Sequence, residues 1–321
     1  MTAVLRHCFT ALLIIFISLQ TAAAGKNIPA EINGLNGTLT LPEHTAPKGA
    51  ILFIAGSGPV DRDGNSPVDR DGNSPASRTD SLRMLGDALS DAGYITLRTD
   101  KTGTGAGAAT VTPADITFAG YLRDYQAWFD FLQKRYPDIP VYLLGHSEGA
   151  LFATLMAQEQ KPAGIILVSP AGYTIDIILK KQMSTQPFPP EALTYINDVI
   201  DRLKAEKTTE NIPPSLNILF SPELQRYFMV WMQYDPAEEL AKVTVPGVII
   251  QGGHDCQISP DNGGRLIRTA PDNQYAEIAT MNHVLKETPA DCAAAISSYN
   301  NPALPLHPEL VPAITRFLSG R

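Results

Sequence analysis

Gly145-His146-Ser147-Glu148-Gly149 constrains this chain more than any other stretch. It has the G-x-S-x-G pattern of a nucleophile elbow, a sharp turn from strand to helix with a serine at the bend. Five residues alone arise by chance, so the flanks decide. Val141-Tyr142-Leu143-Leu144 precedes the motif as a short apolar run of strand type. Ala150 to Ala157 follows as a helix former without Pro or Gly. A strained turn leaves no room for a Cβ on either side of the serine, which accounts for the two glycines. The pattern predicts a Ser147 hydroxyl held at the top of a sheet, with a helix N-terminus beneath it.

The rest of the chain has the rhythm such an elbow needs. Strand-like and helix-like segments alternate from residue 50 onward, which implies a parallel sheet. The expected strands are Ala50–Ala55, Tyr94–Arg98, the elbow strand, Ala163–Val168, Gly247–Gln251 and Tyr275–Ala279. Ser81–Ala92 and Phe118–Tyr136 read as amphipathic helices, the second with Tyr121, Tyr125, Trp128, Phe129 and Leu132 near one face. Before residue 50, Ile32–Leu41 reads as a hairpin turning at Asn36-Gly37. Between Gly172 and Val245 the rhythm breaks. Helical candidates lie at Pro190–Lys207 and Pro222–Gln233, and the sheet resumes afterwards, so an inserted helical cap is the natural reading. The fold class is α/β: a mostly parallel central sheet flanked by helices, with core segments at 25–171 and 246–321 and the cap at 172–245.

Residues 1–24 stand apart. A single early Arg6, an apolar run from Phe9 to Leu19 and the small residues Ala22-Ala23-Ala24 make the pattern of a secretory signal peptide. It is too short and wrongly flanked for a spanning helix. The expected mature chain starts near Gly25, and no later stretch is apolar enough to span a bilayer. Losing Arg6 with the leader takes the formal charge from -8 to -9. An acidic chain argues against nucleic acid and anionic membranes as partners. Cys256 and Cys292 survive cleavage. Export permits a bridge between them; two free thiols are the other reading. No Cys/His cluster suggests a metal.

A serine hydroxyl is a poor nucleophile until a base takes its proton. For an elbow serine, the acid and then the histidine follow along the chain, each after a late strand. Asp255 satisfies this in Gly252-Gly253-His254-Asp255, and His283 in Asn282-His283-Val284-Leu285-Lys286. Asp261 is the fallback acid. His254 would point away from the acid, and His146 reads as packing around the site. Acyl transfer also needs donors aimed at the developing oxyanion. One is the backbone N–H of Glu148. The second belongs to Gly56-Ser57-Gly58-Pro59, with Ser57 assigned and Gly58 as the near alternative.

With these residues placed, the chain resembles the α/β-hydrolase superfamily. More narrowly, it resembles exported bacterial hydrolases of the serine aminopeptidase-like and dienelactone hydrolase-like groups. The resemblance rests on Gly56-Ser57-Gly58-Pro59 with Asp-Arg-Asp-Gly-Asn, on Asp100-Lys101-Thr102-Gly103-Thr104-Gly105, and on the elbow, Asp255 and His283 motifs. It implies the triad Ser147, Asp255 and His283, carboxylesterase activity on short- to medium-chain acyl esters, and no metal or organic cofactor. The expected partner is a small-molecule ester. A serine aminopeptidase with the same triad is the alternative. It would need a carboxylate for the substrate amine, with Glu148, Glu223, Glu238 and Glu239 as candidates. A non-catalytic binding module would have no reason to keep three triad residues in order.

One feature departs from the family pattern. Pro59-Val60-Asp61-Arg62-Asp63-Gly64-Asn65-Ser66 recurs unchanged as Pro67 to Ser74, where similar proteins carry one copy. In a calcium loop the Gly falls sixth and a Glu twelfth. Counted from Asp61, Gly64 is fourth and Gly72 twelfth, so a polar loop is the better reading. The cap's Phe228, Met229, Trp231, Met232 and Tyr234 read either as an acyl-pocket lining or, preferably, as the cap's own packing.

Overall fold

The computed structural model describes residues 25–66, 77–105 and 111–320. The expected leader (1–24) and the second octapeptide copy (67–74) lie outside the described residues. The chain opens with a hairpin, β1 (Lys26–Ile32) and β2 (Leu35–Leu41), followed by the core strand β3 (Ala50–Ile54). A short antiparallel pair, β4 (Asn65–Ser66) and β5 (Ser77–Arg78), leads into α1 (Ser81–Asp91) and β6 (Ile95–Thr99). Then come α2 (Phe118–Arg135), the elbow strand β7 (Val141–His146), α3 (Glu148–Glu159) and β8 (Gly164–Val168).

The main sheet has the order β1-β2-β6-β3-β7-β8, continuing through β9 (Gly247–Gly252) to β10 (Gln274–Ile278). Pairings from β6 to β10 are parallel, and the hairpin adds an antiparallel edge. This is the expected α/β architecture, and its physical basis is visible in β3. All five of its residues are buried, and successive side chains point to opposite faces. Leu52 and Ile54 join the core under α2 and α3. Ile51 and Phe53 join the core under α1 and the C-terminal helix α11 (Leu310–Ser319). A strand covered on both faces must be apolar without alternation, which is why the central strands read as continuous runs.

The hairpin corrects the sequence reading. Its turn is Asn33-Gly34, with φ 51° and 78°, and Ile32 pairs directly with Leu35. Asn36-Gly37 lies inside β2 instead. A Cβ on Gly37 would press on the Arg98 carbonyl and the Trp128 ring at 3.1–3.2 Å, so that glycine serves packing rather than turning. Two Asn-Gly dipeptides three residues apart are equivalent locally; only the fit of β2 against β6 and α2 separates them.

Between β8 and β9 the chain makes five α-helices: α4 (Ile175–Ser184), α5 (Pro190–Lys204), α6 (Asn217–Phe220), α7 (Pro222–Trp231) and α8 (Pro236–Leu240). α5 and α7 match the two expected segments. Proline stands at the start of α5, α7 and α8, where its missing N–H has no partner to lose. Trp231 and Met232 are buried, Tyr234 stacks on Phe118 and Phe228 stacks on Trp231. The packing reading of these side chains therefore holds. Arg265, on α9 (Asp261–Thr269), forms a bidentate pair with Asp235 at 2.7 Å and also donates to the Gly172 carbonyl. One core side chain thus ties both ends of the helical insertion.

Cys256 and Cys292 are bridged, with Cα atoms 5.9 Å apart. Cys292 opens the short α10 (Cys292–Ala295). The bridge joins the loop carrying Asp255 to the segment just beyond His283. Among the described residues no helix is long and apolar enough to cross a membrane, and no group of three or more His, Cys, Asp or Glu side chains could hold a metal.

Candidate active site

The elbow has the expected form. β7 ends at His146, α3 starts at Glu148, and Ser147 between them sits at φ 55°, ψ -119°. That backbone conformation is strained for any residue with a side chain, and it persists because neighbours over-determine it. Ser147 N–H donates to the Val168 carbonyl on β8 at 3.0 Å, and Ala150 N–H donates to the Ser147 carbonyl. A Cβ on Gly145 would strike the Gly149 carbonyl. One on Gly149 would strike the Ile54 and Ala55 carbonyls of β3 and its exit. The two glycines therefore let α3 start directly against the neighbouring strand.

Asp255 and His283 are brought together by the ends of β9 and β10. His283 Nδ1 donates to Asp255 Oδ2 at 2.7 Å, and both side chains are buried. The other carboxylate oxygen accepts from the backbone N–H groups of Gln257 (2.9 Å) and Ile258 (2.8 Å). With its proton on Nδ1, the imidazole keeps Nε2 free to accept another. The loop carrying His283 is pinned on several sides. Asn282 Oδ1 accepts from Lys286 N–H and Asn282 Nδ2 donates to Ser298 Oγ, while Ser81 Oγ donates to the Val284 carbonyl. The fallback acid Asp261 is exposed at the start of α9, bound to Ser259 and Lys181. His254 faces away, its Nδ1 bonded to the Thr288 carbonyl.

His146 stands beneath the catalytic candidates. Its Nε2 donates to the His283 carbonyl at 2.8 Å, and the two rings lie 4.9 Å apart. Burial, and then the neighbouring His283, push its pKa down from 6.5 to about 4. In the unfolded chain His146 takes a proton as pH falls below 6.5; in the folded protein it does so only near 4. This group therefore contributes full stability above 6.5 and loses it as pH falls toward 4. Guanidinium unfolding at pH 7, 5.5 and 4 checks this: the wild-type midpoint falls more steeply with acid than that of His146→Gln. Parallel slopes would show that His146 carries no such linkage.

Ser147 and His283 line one cavity of about 180 Å³ together with Gly56, Ser57, His146 and Gln257. The loop after β3 reaches the nucleophile directly: a Cβ on Gly56 would lie 3.2 Å from that of Ser147. Ser57 follows, exposed at the cavity. Glu148 N–H opens α3 beside Ser147, where a helix N-terminus favours negative charge. The five expected site residues thus converge from four strand ends.

The first octapeptide copy holds this loop. Asp61 Oδ1 accepts from the N–H groups of Asp63 and Asn65, and Asn65 Oδ1 accepts from those of Thr79 and Asp80. Asp63 pairs with buried Arg98, and Arg62 forms a bidentate pair with Asp100. These carboxylates are committed to the protein's own cations and amides, which fits a structural loop rather than a calcium loop.

Sequence reasoning missed the roles of two further side chains. The Lys101 ammonium donates to Glu148 Oε2 and to the Gly56 carbonyl, both at 2.9 Å. Tyr227 on α7 donates its hydroxyl to Glu148 Oε1 at 2.7 Å. Burial, and then Glu148, hold the Tyr227 phenol well above its ordinary pKa, so it remains a donor. Lys101 stands in the Asp100–Gly105 motif two residues beyond β6, but nothing local names its partners.

Comparison with known proteins agrees with this geometry. The family model described as serine aminopeptidase, S33, matches residues 76–219, which include the elbow. Esterase EstD from Thermotoga maritima is 25% identical over 269 residues, covering 81% of this chain and 61% of that protein. The monoglyceride lipase of Homo sapiens is 30% identical over 191 residues, 54% of this chain and 61% of the lipase. The chain thus spans about three fifths of the length of these curated relatives. Among solved structures, Est1E from Butyrivibrio proteoclasticus superposes with a TM-score of 0.57 at 18% identity, covering 93% of this chain and all of that one. The Pyrococcus furiosus esterase PF2001 superposes with a TM-score of 0.57 at 14% identity, covering 93% of this chain and 91% of that one. Strand order, elbow and structural neighbours converge on one assignment: the chain has the α/β-hydrolase fold, and its sequence relatives are hydrolases.

Proposed function

We propose that this protein is a serine carboxylesterase acting through an acyl-enzyme on Ser147. The observation that carries the reading is His283, bound to buried Asp255 at 2.7 Å and lining one cavity with a serine held in a strained elbow. Ser147 Oγ attacks the ester carbonyl as His283 Nε2 takes its proton. The tetrahedral oxyanion is met by the N–H groups of Ser57 and Glu148. His283 then returns the proton to the leaving alcohol, and Asp255 stabilises the imidazolium throughout. Water activated by the same histidine releases the acid. Relatives named as esterases and lipases support an ester substrate.

The aminopeptidase reading follows the family model's description. Its required carboxylate argues against it. Glu148 is already bound by Lys101 and Tyr227, Glu239 is engaged by Gln158 and Lys242, and Glu223 pairs with Arg226. Neither these nor Glu238 is among the described residues lining the Ser147 cavity.

The test is turnover of p-nitrophenyl esters from acetate to laurate beside aminoacyl-p-nitroanilides. Ester turnover exceeding anilide turnover by orders of magnitude is expected. Anilide turnover without ester preference would move the reading to a peptidase. The helical insertion acts in this scheme as a cap over the site. Export is supported by the leader pattern and by the bridge, since disulfides persist in oxidising compartments. The intact mass of the exported protein, beginning near Gly25, checks it.

A further inference from the structure

Lys101 is a buried cation that the esterase mechanism leaves without a task. Its side chain and that of Glu148 are each 1% exposed, so water offers neither any compensation. Isolating such a charge from solvent is strongly unfavourable unless it is paired and hydrogen-bonded. Lys101 is both. Besides the Glu148 carboxylate and the Gly56 carbonyl, its ammonium sits 4.5 Å from the centre of the Tyr121 ring, an attractive cation–π position.

The identity of the partners matters more than their number. Gly56 immediately precedes Ser57, and Glu148 immediately follows Ser147. One of the two N–H groups assigned to the oxyanion, that of Ser57, therefore lies in the same planar peptide unit as the Gly56 carbonyl that Lys101 holds, and the other belongs to Glu148, whose side chain Lys101 holds. The neighbouring residue completes the hold. The Asp100 carboxylate accepts from the backbone and guanidinium of Arg62, at the far end of the same loop. Asp100-Lys101, at the exit of β6, thus grips the loop of Ser57 at residues 56 and 62. Tyr227 ties the helical insertion into the same carboxylate.

We propose that Lys101 is a positioning residue: through Gly56 and Glu148 it sets the spacing of the two oxyanion donors, and Tyr227 couples that spacing to the helical insertion. The inference rests on the serine-esterase reading. Oxyanion stabilisation depends on donors held in place before charge develops, and one lost donor lowers kcat by about 10²–10³-fold. Displacement of a donor by about 1 Å has effects on the order of 10²-fold.

The experiment compares the wild type with Lys101→Met and with Lys101→Met/Glu148→Gln. The double variant leaves no unpaired buried charge and so guards against simple misfolding. Three quantities are read: kcat and KM for a p-nitrophenyl ester, the inhibition constant of a trifluoromethyl ketone, and the rate of Ser147 phosphonylation by a fluorophosphonate. Melting is measured alongside. In the folded double variant kcat and phosphonylation fall by about 10²-fold, the ketone inhibition constant rises by a similar factor, and KM stays within a few-fold. Lys101→Arg, which keeps charge and donors, recovers part of the loss. Tyr227→Phe lowers kcat by a smaller factor, again without raising KM. A folded double variant with wild-type kcat, ketone affinity and phosphonylation overturns the proposal while leaving the serine-hydrolase reading intact. Wild-type protein that reacts with neither ester nor fluorophosphonate removes that reading, and the inference falls with it.

Discussion

Ser147→Ala abolishes the pre-steady-state burst of p-nitrophenol and lowers ester turnover by on the order of 10⁴–10⁶-fold, with the fold retained. The magnitude follows from the chemistry. Removing the nucleophile removes the acyl-enzyme path and leaves only the residual catalysis of the oxyanion donors and binding. Retention of fold follows from the structure. The strain at residue 147 is imposed by the contacts of Gly145 and Gly149 and by the Ser147 N–H to Val168 bond, none of which uses the hydroxyl. Alanine pays the same backbone strain as serine at φ 55°. Burst kinetics with circular dichroism of the variant make the measurement. A burst of wild-type amplitude would exclude Ser147 as nucleophile. An unfolded variant would show that the hydroxyl itself holds the elbow.

Gly149→Ala is expected to destabilise the fold by about 3 kcal/mol or more, through forced separation of α3 from β3. The added methyl would collide with the backbone carbonyls of Ile54 and Ala55, which cannot rotate away as a side chain can. It would also push the elbow off the loop carrying Ser57, so activity falls with stability. Gly264→Ala is the comparison. It lies in α9, and its new Cβ would meet only the movable guanidinium of Arg268, at 3.2 Å. Alanine is favoured over glycine in a helix by about 1 kcal/mol, so this variant is expected to be unchanged or slightly more stable. Denaturant unfolding of both proteins decides. Equal midpoints would mean that α3 can shift without loss and that the elbow glycine is dispensable.

Much of the site was legible in the chain because its signals are local. An elbow needs glycines within two residues of the serine, so the backbone constraint is written beside the nucleophile. A strand buried on both faces must be apolar throughout, so β3, β7 and β8 announced themselves. Parallel strands place their C-terminal ends together, so the order of Ser147, Asp255 and His283 sufficed to bring the three to one edge of the sheet. Elements with weaker local signatures were less visible. The turn of the hairpin could sit on either Asn-Gly pair, and α4, α9 and α11 carry no motif.

What the sequence alone determined was therefore the elbow, the parallel core and the candidate triad: features whose physical cause lies within a few neighbouring residues or in strand order. Only the tertiary structure decided the rest. It set the His283 ring against the Asp255 carboxylate. It joined Cys256 to Cys292, assigned Arg62 to Asp100, and set Lys101 and Tyr227 on Glu148. Each of these pairs residues from 28 to 79 positions apart. A buried charge finds its partner wherever folding delivers one, and no local pattern records where that will be.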